Sequence, residues 1–300
     1  MKKIIVESSE NLRLDRYIRR IYSGATQGII EQNLRNGKIK INNNKVKSSY
    51  RVLKDDEITL FGDLFQIATS NIKSYSNNCR SLANKLLHDY LLLSTDEFIA
   101  IDKPHNIAVQ GGSKIDLSID DALSYLNAEN GANFKLVHRL DKATSGILLI
   151  AKGAENAAKL TGAFKDKIIK KKYYAVVAGC PIESEGVIVN YIGKDKSGIF
   201  EIVKELKDGK RAETHYKIIN ENEGYSLIEF TPLTGRMHQL RVHSQMLGCP
   251  ILGDVKYGGQ KHKRMMLHAA QVSIPKELFG EEIIIDSKVP KDWLDFYNPL

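Results

Sequence analysis

The apolar residues Leu12, Leu14, Tyr17, Ile18 and Ile21 recur at helical spacing, and Arg13, Arg16, Arg19 and Arg20 fill positions between them. That pattern predicts an amphipathic helix with a cationic face. A second periodic stretch covers residues 29–34 and ends at Asn36-Gly37, a helix stop. Next, Lys38-Ile39-Lys40-Ile41 alternates, Asn42-Asn43-Asn44 offers a turn, and Lys45-Val46-Lys47 alternates again. This predicts a hairpin with isoleucines on one face and lysines on the other. The acidic turn Asp55-Asp56 leads into a further short strand at 57–61. Farther along, residues 98–101, 147–151, 173–177 and 225–230 are apolar or alternating runs of strand length.

Charge divides the chain more sharply than hydropathy does. The net charge over 300 residues is +8, but residues 1–61 hold 13 Lys or Arg against 7 Asp or Glu, so +6 of it sits in the first fifth. A small basic binding module joined to a nearly neutral body is the expected organisation. Residues 69–84 contain four Ser and four Asn with little apolar periodicity, which predicts a solvated connector. The expected domains are therefore 1–61, a linker at 62–88, and a body at 89–300. Cys79, Cys180 and Cys249 are odd in number and widely spaced, which gives neither a disulfide framework nor a zinc site and suits a reducing compartment. The N-terminal apolar run is too short for a signal peptide, and no run approaches the ~18 residues of a membrane helix. A cytoplasmic protein with no membrane association is expected.

The most informative stretch is Leu136-Val137-His138-Arg139-Leu140-Asp141-Lys142-Ala143-Thr144-Ser145-Gly146, which runs straight into the apolar strand at 147–151. Charged, turn-forming residues at a strand end are held rigidly by the scaffold behind them. Residues 138–146 resemble the His-Arg-Leu-Asp-x-x-Thr-Ser-Gly signature of the RluA-type pseudouridine synthases at every specified position. Lys171-Lys172-Tyr173-Tyr174-Ala175 is similar to that family's tyrosine-bearing strand, and Gly235-Arg236-Met237-His238-Gln239-Leu240-Arg241 to its arginine motif. Gly253-Asp254-Val255-Lys256-Tyr257-Gly258 and Leu267-His268-Ala269 complete the set. The basic module, through Leu14-Asp15-Arg16-Tyr17 and Gly37-Lys38-Ile39-Lys40-Ile41-Asn42, resembles an S4 RNA-binding domain. Together with Gln110-Gly111-Gly112-Ser113 after Asp102-Lys103-Pro104, that module places the chain nearest the RluC type within the family.

The resemblance implies an α+β fold: a pseudouridine synthase body with a mixed, mainly antiparallel central sheet, plus a small S4-like α+β domain. It implies isomerisation of specific uridines to pseudouridine in 23S ribosomal RNA by a monomer, with no cofactor and no metal. Asp141 is the implied nucleophile or base, and whether it attacks sugar or base, or removes a sugar proton, stays open. Burial would raise the pKa of such a carboxylate, so a neighbouring cation has to keep it charged. Arg241 is the candidate, with Arg236 as the fallback. Tyr173 would stack on the flipped base, while Tyr174, next along the strand, should face the other way. Arg139 would fill the gap that the flipped base leaves, and Leu267 would lie beneath the base. His138, Arg236 and His238 are the remaining expected substrate contacts, and Arg13, Arg16, Arg20, Lys38 and Lys40 the expected RNA contacts of the basic module.

Two departures from the family pattern stand out. Asn106 replaces a glycine two residues after Pro104, where asparagine still tolerates left-handed backbone, and Gln110 replaces a frequent histidine. The run at 165–172 holds five lysines and one aspartate, either simply solvated or touching RNA backbone. Two other readings compete: an RNA-binding assembly factor with a relic synthase body, and a synthase acting on transfer RNA. Intact Asp141, Tyr173 and Arg241 argue against the relic.

Overall fold

The computed structural model describes residues 1–7, 12–22, 25–62, 75–112, 115–195, 202–293 and 296. The chain divides into two compact units, Met1–Tyr75 and Ser76–Leu300.

The first unit contains β1 (Lys2–Ile5), α1 (Leu14–Ile21), α2 (Gln27–Arg35), β2 (Ile39–Ile41) and β3 (Glu57–Leu60). The three strands pair antiparallel in the order β1-β3-β2. Leu14 and Ile18 of α1, Ile30 and Leu34 of α2, and the inward isoleucines of β2 and β3 close one small core. Thr26 caps α2 by accepting from the Ile29 amide at 3.4 Å, and Gly37 leaves the helix with φ +69°. Ile21, last in the apolar stripe of α1, is exposed.

The expected hairpin at 38–47 exists only as its turn. Asn42 and Asn43 take positive φ, and Ile41 makes a single bridge to Asn44, but residues 45–47 add no strand. β2 pairs with β3 instead, because Ile58 and Leu60 offer the buried apolar partners that Val46, between two lysines, cannot match. The Asn42 side chain reinforces that pairing by donating to Asp56 and accepting from the Glu57 amide, both at 2.8 Å.

The second unit opens with α3 (Asn77–Leu87), β4 (Leu91–Ser94), β5 (Phe98–Lys103), α4 (Ile119–Asn130), β6 (Phe134–Leu136) and β7 (Ser145–Lys152). It continues with α5 (Ala154–Lys165), β8 (Lys170–Ala178), β9 (Glu185–Asp195), β10 (Ile202–Glu205), β11 (Lys210–Asn222) and β12 (Tyr225–Pro232). Last come α6 (Gln239–Met246), β13 (Leu267–Ile274), α7 (Lys276–Phe279) and β14 (Ile283–Asp286). No described helix is long and apolar enough to cross a membrane.

α3 corrects the linker expected at 62–88. Cys79, Leu82, Ala83 and Leu86 follow the i, i+3, i+4, i+7 pattern of a buried helix face, and the last three pack on α4, β5 and β7. Ser76 caps the helix through the Cys79 amide at 3.2 Å. Of the expected connector, residues 63–74 lie outside the described residues.

The described strands of this unit form one mixed sheet in the order β10-β9-β11-β12-β8-β13-β7-β5-β4, with β14 added to β13 and β6 to β7. All its pairings are antiparallel except β7 with β13. At that parallel junction Gly146 has φ +105°, and a Cβ there would stand 2.2 Å from the Ala269 carbonyl oxygen. Only glycine lets the two strands approach so closely. The glycine of the 138–146 motif thus sets the spot where the Asp141 loop enters the sheet.

Candidate active site

The loop that carries Asp141 is held on three sides. Its His138 Nε2 accepts from the Leu149 amide of β7 at 2.8 Å, while the ring lies 4.4 Å from that of Phe164. Burial pushes His138 down to about 3, with Lys171 adding to the effect, so the ring is neutral and the remaining proton sits on Nδ1. Leu140 is buried, and the Asp141 carbonyl accepts from the Thr144 amide at 3.1 Å to close a turn. From below, fully buried Lys103 of β5 donates to the carbonyls of Pro104 and Ile107 at 2.9 Å and of Lys142 at 3.3 Å. Three carbonyls match the three donors of an ammonium. Burial pushes the Lys103 amine down to about 7, with the Asp141 charge pulling the other way. Asn106, in the turn that Lys103 clamps, has φ +66°, so the asparagine does take the left-handed backbone.

α6 supplies the cation. Its Gln239 donates to the Glu213 carbonyl and to Thr214, and His243 meets Asn190 at 3.0 Å, so one polar face of the helix is pinned to β11 and β9. Arg241, two residues after Gln239 and hence on another side of the helix, forms a fork with Asp254, with Nε and Nη2 each 2.7 Å from a carboxylate oxygen. Its Nη1 donates to Asp141 Oδ2 at 3.3 Å. Burial works to lower the Arg241 pKa, but the bonds to Asp254 and the two carboxylate charges outweigh it, and the guanidinium is held firmly charged. The Tyr257 ring lies 4.7 Å under the same guanidinium.

His238, at the head of α6, approaches Asp141 from a second direction, with Nε2 3.7 Å from Oδ2. Tyr257 Oη accepts from the Val203 amide at 3.1 Å and lies 2.6 Å from His238 Nδ1. Burial pushes His238 down to about 4, so the ring stands neutral beside Asp141. Its φ of +54° is rare for a non-glycine residue.

The floor comes from the sheet. Leu267 of β13 is buried beside Tyr173 of β8, and burial, with Asp141 adding to it, raises the Tyr173 pKa, so its hydroxyl stays protonated. Tyr174 faces away and bonds to Glu229 at 3.4 Å. A cavity of about 790 Å³ opens over these groups, and all eight expected residues of the body (His138, Arg139, Asp141, Tyr173, Arg236, His238, Arg241 and Leu267) line it. They differ in what they touch. Arg139 is exposed at the wall. Arg236 donates to the Arg211 carbonyl at 3.0 Å, and of the two candidate arginines only Arg241 donates to Asp141. His138 is committed to the backbone of β7.

In the first unit Arg16 and Lys38 are exposed, and Lys40 lies half-buried over the Phe61 ring at 5.5 Å. Arg13 is not a free cation, since it clasps buried Asp15 at 2.6 Å and 3.2 Å. The Arg20 side chain lies outside the described residues. Sequence reasoning gave no role to Lys103, Asp254 or Tyr257, although each lies in a quoted motif. The available signal was an acidic residue and an aromatic three apart in Gly253-Asp254-Val255-Lys256-Tyr257-Gly258.

The family model described as RNA pseudouridylate synthase matches residues 97–246, and that of the S4 domain matches residues 12–58. The chain is 46% identical over 286 residues to the Rickettsia typhi ribosomal large subunit pseudouridine synthase C, covering 93% of this chain and 94% of that one. The protein of the same name from Vibrio cholerae is 30% identical over 288 residues, covering 89% and 86%. Among solved structures, human RNA pseudouridylate synthase domain containing 4 superposes with a TM-score of 0.61 at 27% identity, covering 72% of this chain and 94% of that one.

Proposed function

The chain belongs to the RNA pseudouridylate synthase family, and from that premise we propose that it isomerises particular uridines of 23S ribosomal RNA, acting as a cytoplasmic monomer. The large-subunit substrate follows that of the Rickettsia proteins named ribosomal large subunit pseudouridine synthase C, which match nearly end to end. The observation that carries the mechanism is the chain of contacts from Asp254 through Arg241 to Asp141 at the bottom of the cavity.

Isomerisation breaks N1–C1′, turns the base, forms C5–C1′, takes the proton from C5 and returns one to N1. No electrons are gained or lost. Asp141 supplies the carboxylate, as nucleophile or as base. Arg241 keeps it ionised in a site whose burial would otherwise favour the neutral acid, and the Asp254 fork fixes the guanidinium so that only Nη1 is left for Asp141. His238 is a positioning residue, held by Tyr257 at 2.6 Å and set 3.7 Å from Oδ2, where it closes the second approach to the carboxylate. Lys103 positions the same carboxylate from behind through the Lys142 carbonyl.

A uridine in folded RNA must leave its stack, at a cost of a few kcal/mol, before it can enter the cavity. Tyr173 and Leu267 would receive the ring, and Arg139, exposed at the wall, would occupy the vacated space. The first unit would add phosphate contacts that orient the RNA without reading bases. The complete carboxylate–arginine set favours a working enzyme over a binding-only factor. The test is to map pseudouridines in the ribosomal RNA of cells with and without the gene. Loss of specific large-subunit sites is expected, and an intact ribosomal pattern with a missing transfer RNA site would overturn the substrate assignment.

A further inference from the structure

Three lysines open β8, and their surroundings differ. Lys170 is exposed. Lys172 is paired with Glu229 at 3.4 Å. Lys171 between them lines the cavity and has Phe164 and His138 as company. Its Nζ lies 5.9 Å from the Phe164 ring centre, and the neutral His138 ring stacks on that same phenylalanine. Lys171 has no ion pair with a described carboxylate, whereas Arg241 has two. Burial lowers the Lys171 pKa, and no acid opposes it. A cation kept half-buried without a counter-charge costs stability, so an anion arriving in the cavity would find a strong partner there.

Strand geometry says which anion. Side chains alternate along β8, so Lys171 and Tyr173 share one face, about 6.6 Å apart along the strand. If the uracil ring rests on Tyr173, its own backbone passes over Lys171 at nucleotide spacing. We propose that Lys171 binds a phosphodiester flanking the flipped uridine and so anchors the target nucleotide itself, as distinct from the RNA around it. The proposal rests on the uridine-isomerising reading. It divides the lysine run by function: Lys171 grips the target's own backbone, Lys172 braces the sheet through Glu229, and Lys165, Lys167 and Lys170 stand exposed at the mouth.

The test uses the full-length protein and in-vitro-transcribed large-subunit RNA, with dissociation constants measured across a salt series and single-turnover pseudouridine formation at saturating RNA. Lys171→Met should weaken binding roughly fivefold to tenfold and flatten the log–log salt slope by about 0.7–0.9, the loss of one phosphate contact. Its saturating rate should stay within about threefold of wild type. Lys171→Arg should restore the slope, and Lys172→Met should leave it unchanged. An unaltered slope in Lys171→Met, or a lost rate with unaltered binding, overturns the proposal. A measurement that does not depend on how the variant folds uses the wild-type protein and RNA fragments with a neutral methylphosphonate on either side of the target uridine. One of the two should flatten the slope by the same amount, and if neither does, the proposal fails. Absence of any pseudouridine with wild-type protein would instead refute the underlying reading.

Discussion

In the first unit the cations expected to meet RNA stand in water or nearly so, with Arg16 and Lys38 exposed and Lys40 resting over an aromatic ring. In the second, the cations nearest the proposed chemistry are buried, and each is answered by a particular acceptor: Arg241 by two carboxylates, Lys103 by three carbonyls. Exposed charges are screened by salt and tolerate small displacements, which suits a surface that collects phosphates. Buried ones act at short range in low dielectric, where geometry decides their effect. Net charge alone points to the wrong unit for catalysis: the +6 lies in residues 1–61, while the reaction is assigned to the nearly neutral remainder.

The largest expected difference between the units is their response to acid. All eight histidines lie beyond residue 75, and burial holds His138 at about 3 and His238, His243 and His268 at about 4. An unfolded histidine titrates near 6.5, so between that value and the folded one the unfolded chain binds more protons. Stability is then lost as pH falls. Each ring accounts for roughly 3 to 5 kcal/mol by the time pH reaches its folded value. Calorimetry from neutral pH downward should show the transition of the second unit falling steeply from about pH 6.5. A transition that stays flat to about pH 5 would mean these rings are not buried neutral.

Next in size is Arg241→Lys. Lysine keeps the charge but cannot fork onto Asp254 while reaching Asp141. The single-turnover rate should drop by about 100-fold or more with RNA affinity nearly unchanged, and a variant with wild-type turnover would show that the fork is dispensable. The smallest effects belong to the first unit. Arg16→Ala and Lys38→Ala should each reduce the salt slope by about 0.7–0.9. Arg13→Ala should change it less, because Asp15 already neutralises that guanidinium. Equal changes at Arg13 and Arg16 would make the distinction between paired and free cations irrelevant to binding.

Features encoded locally were legible before the fold was known. The four anticipated strands of the body are present in β5, β7, β8 and β12, since an apolar or alternating run of strand length is written into consecutive residues. Local composition misled at α3, where Ser and Asn on the outer face hid the stripe of Cys79, Leu82, Ala83 and Leu86. It misled again at 38–47, where the turn was real but the partner strand lay farther along the chain. Within the site, Asp141 and Arg241 stand out through their motifs. Their mutual contact spans 100 residues, and the residues that support it, Asp254, Tyr257 and Lys103, are identifiable only once β5, α6 and the turn after Gly253 are in place. No spacing rule connects a lysine at 103 to the carbonyl of residue 142.

The most direct measurement replaces Asp141 with asparagine, nearly the same shape without the charge, and follows both RNA affinity and pseudouridine formation in one preparation. The expected result is affinity within about twofold of wild type, as for a group whose contribution is to the chemical step, with no pseudouridine formed. Pseudouridine formation at the wild-type rate by Asp141→Asn would contradict the assignment of the reaction to this carboxylate.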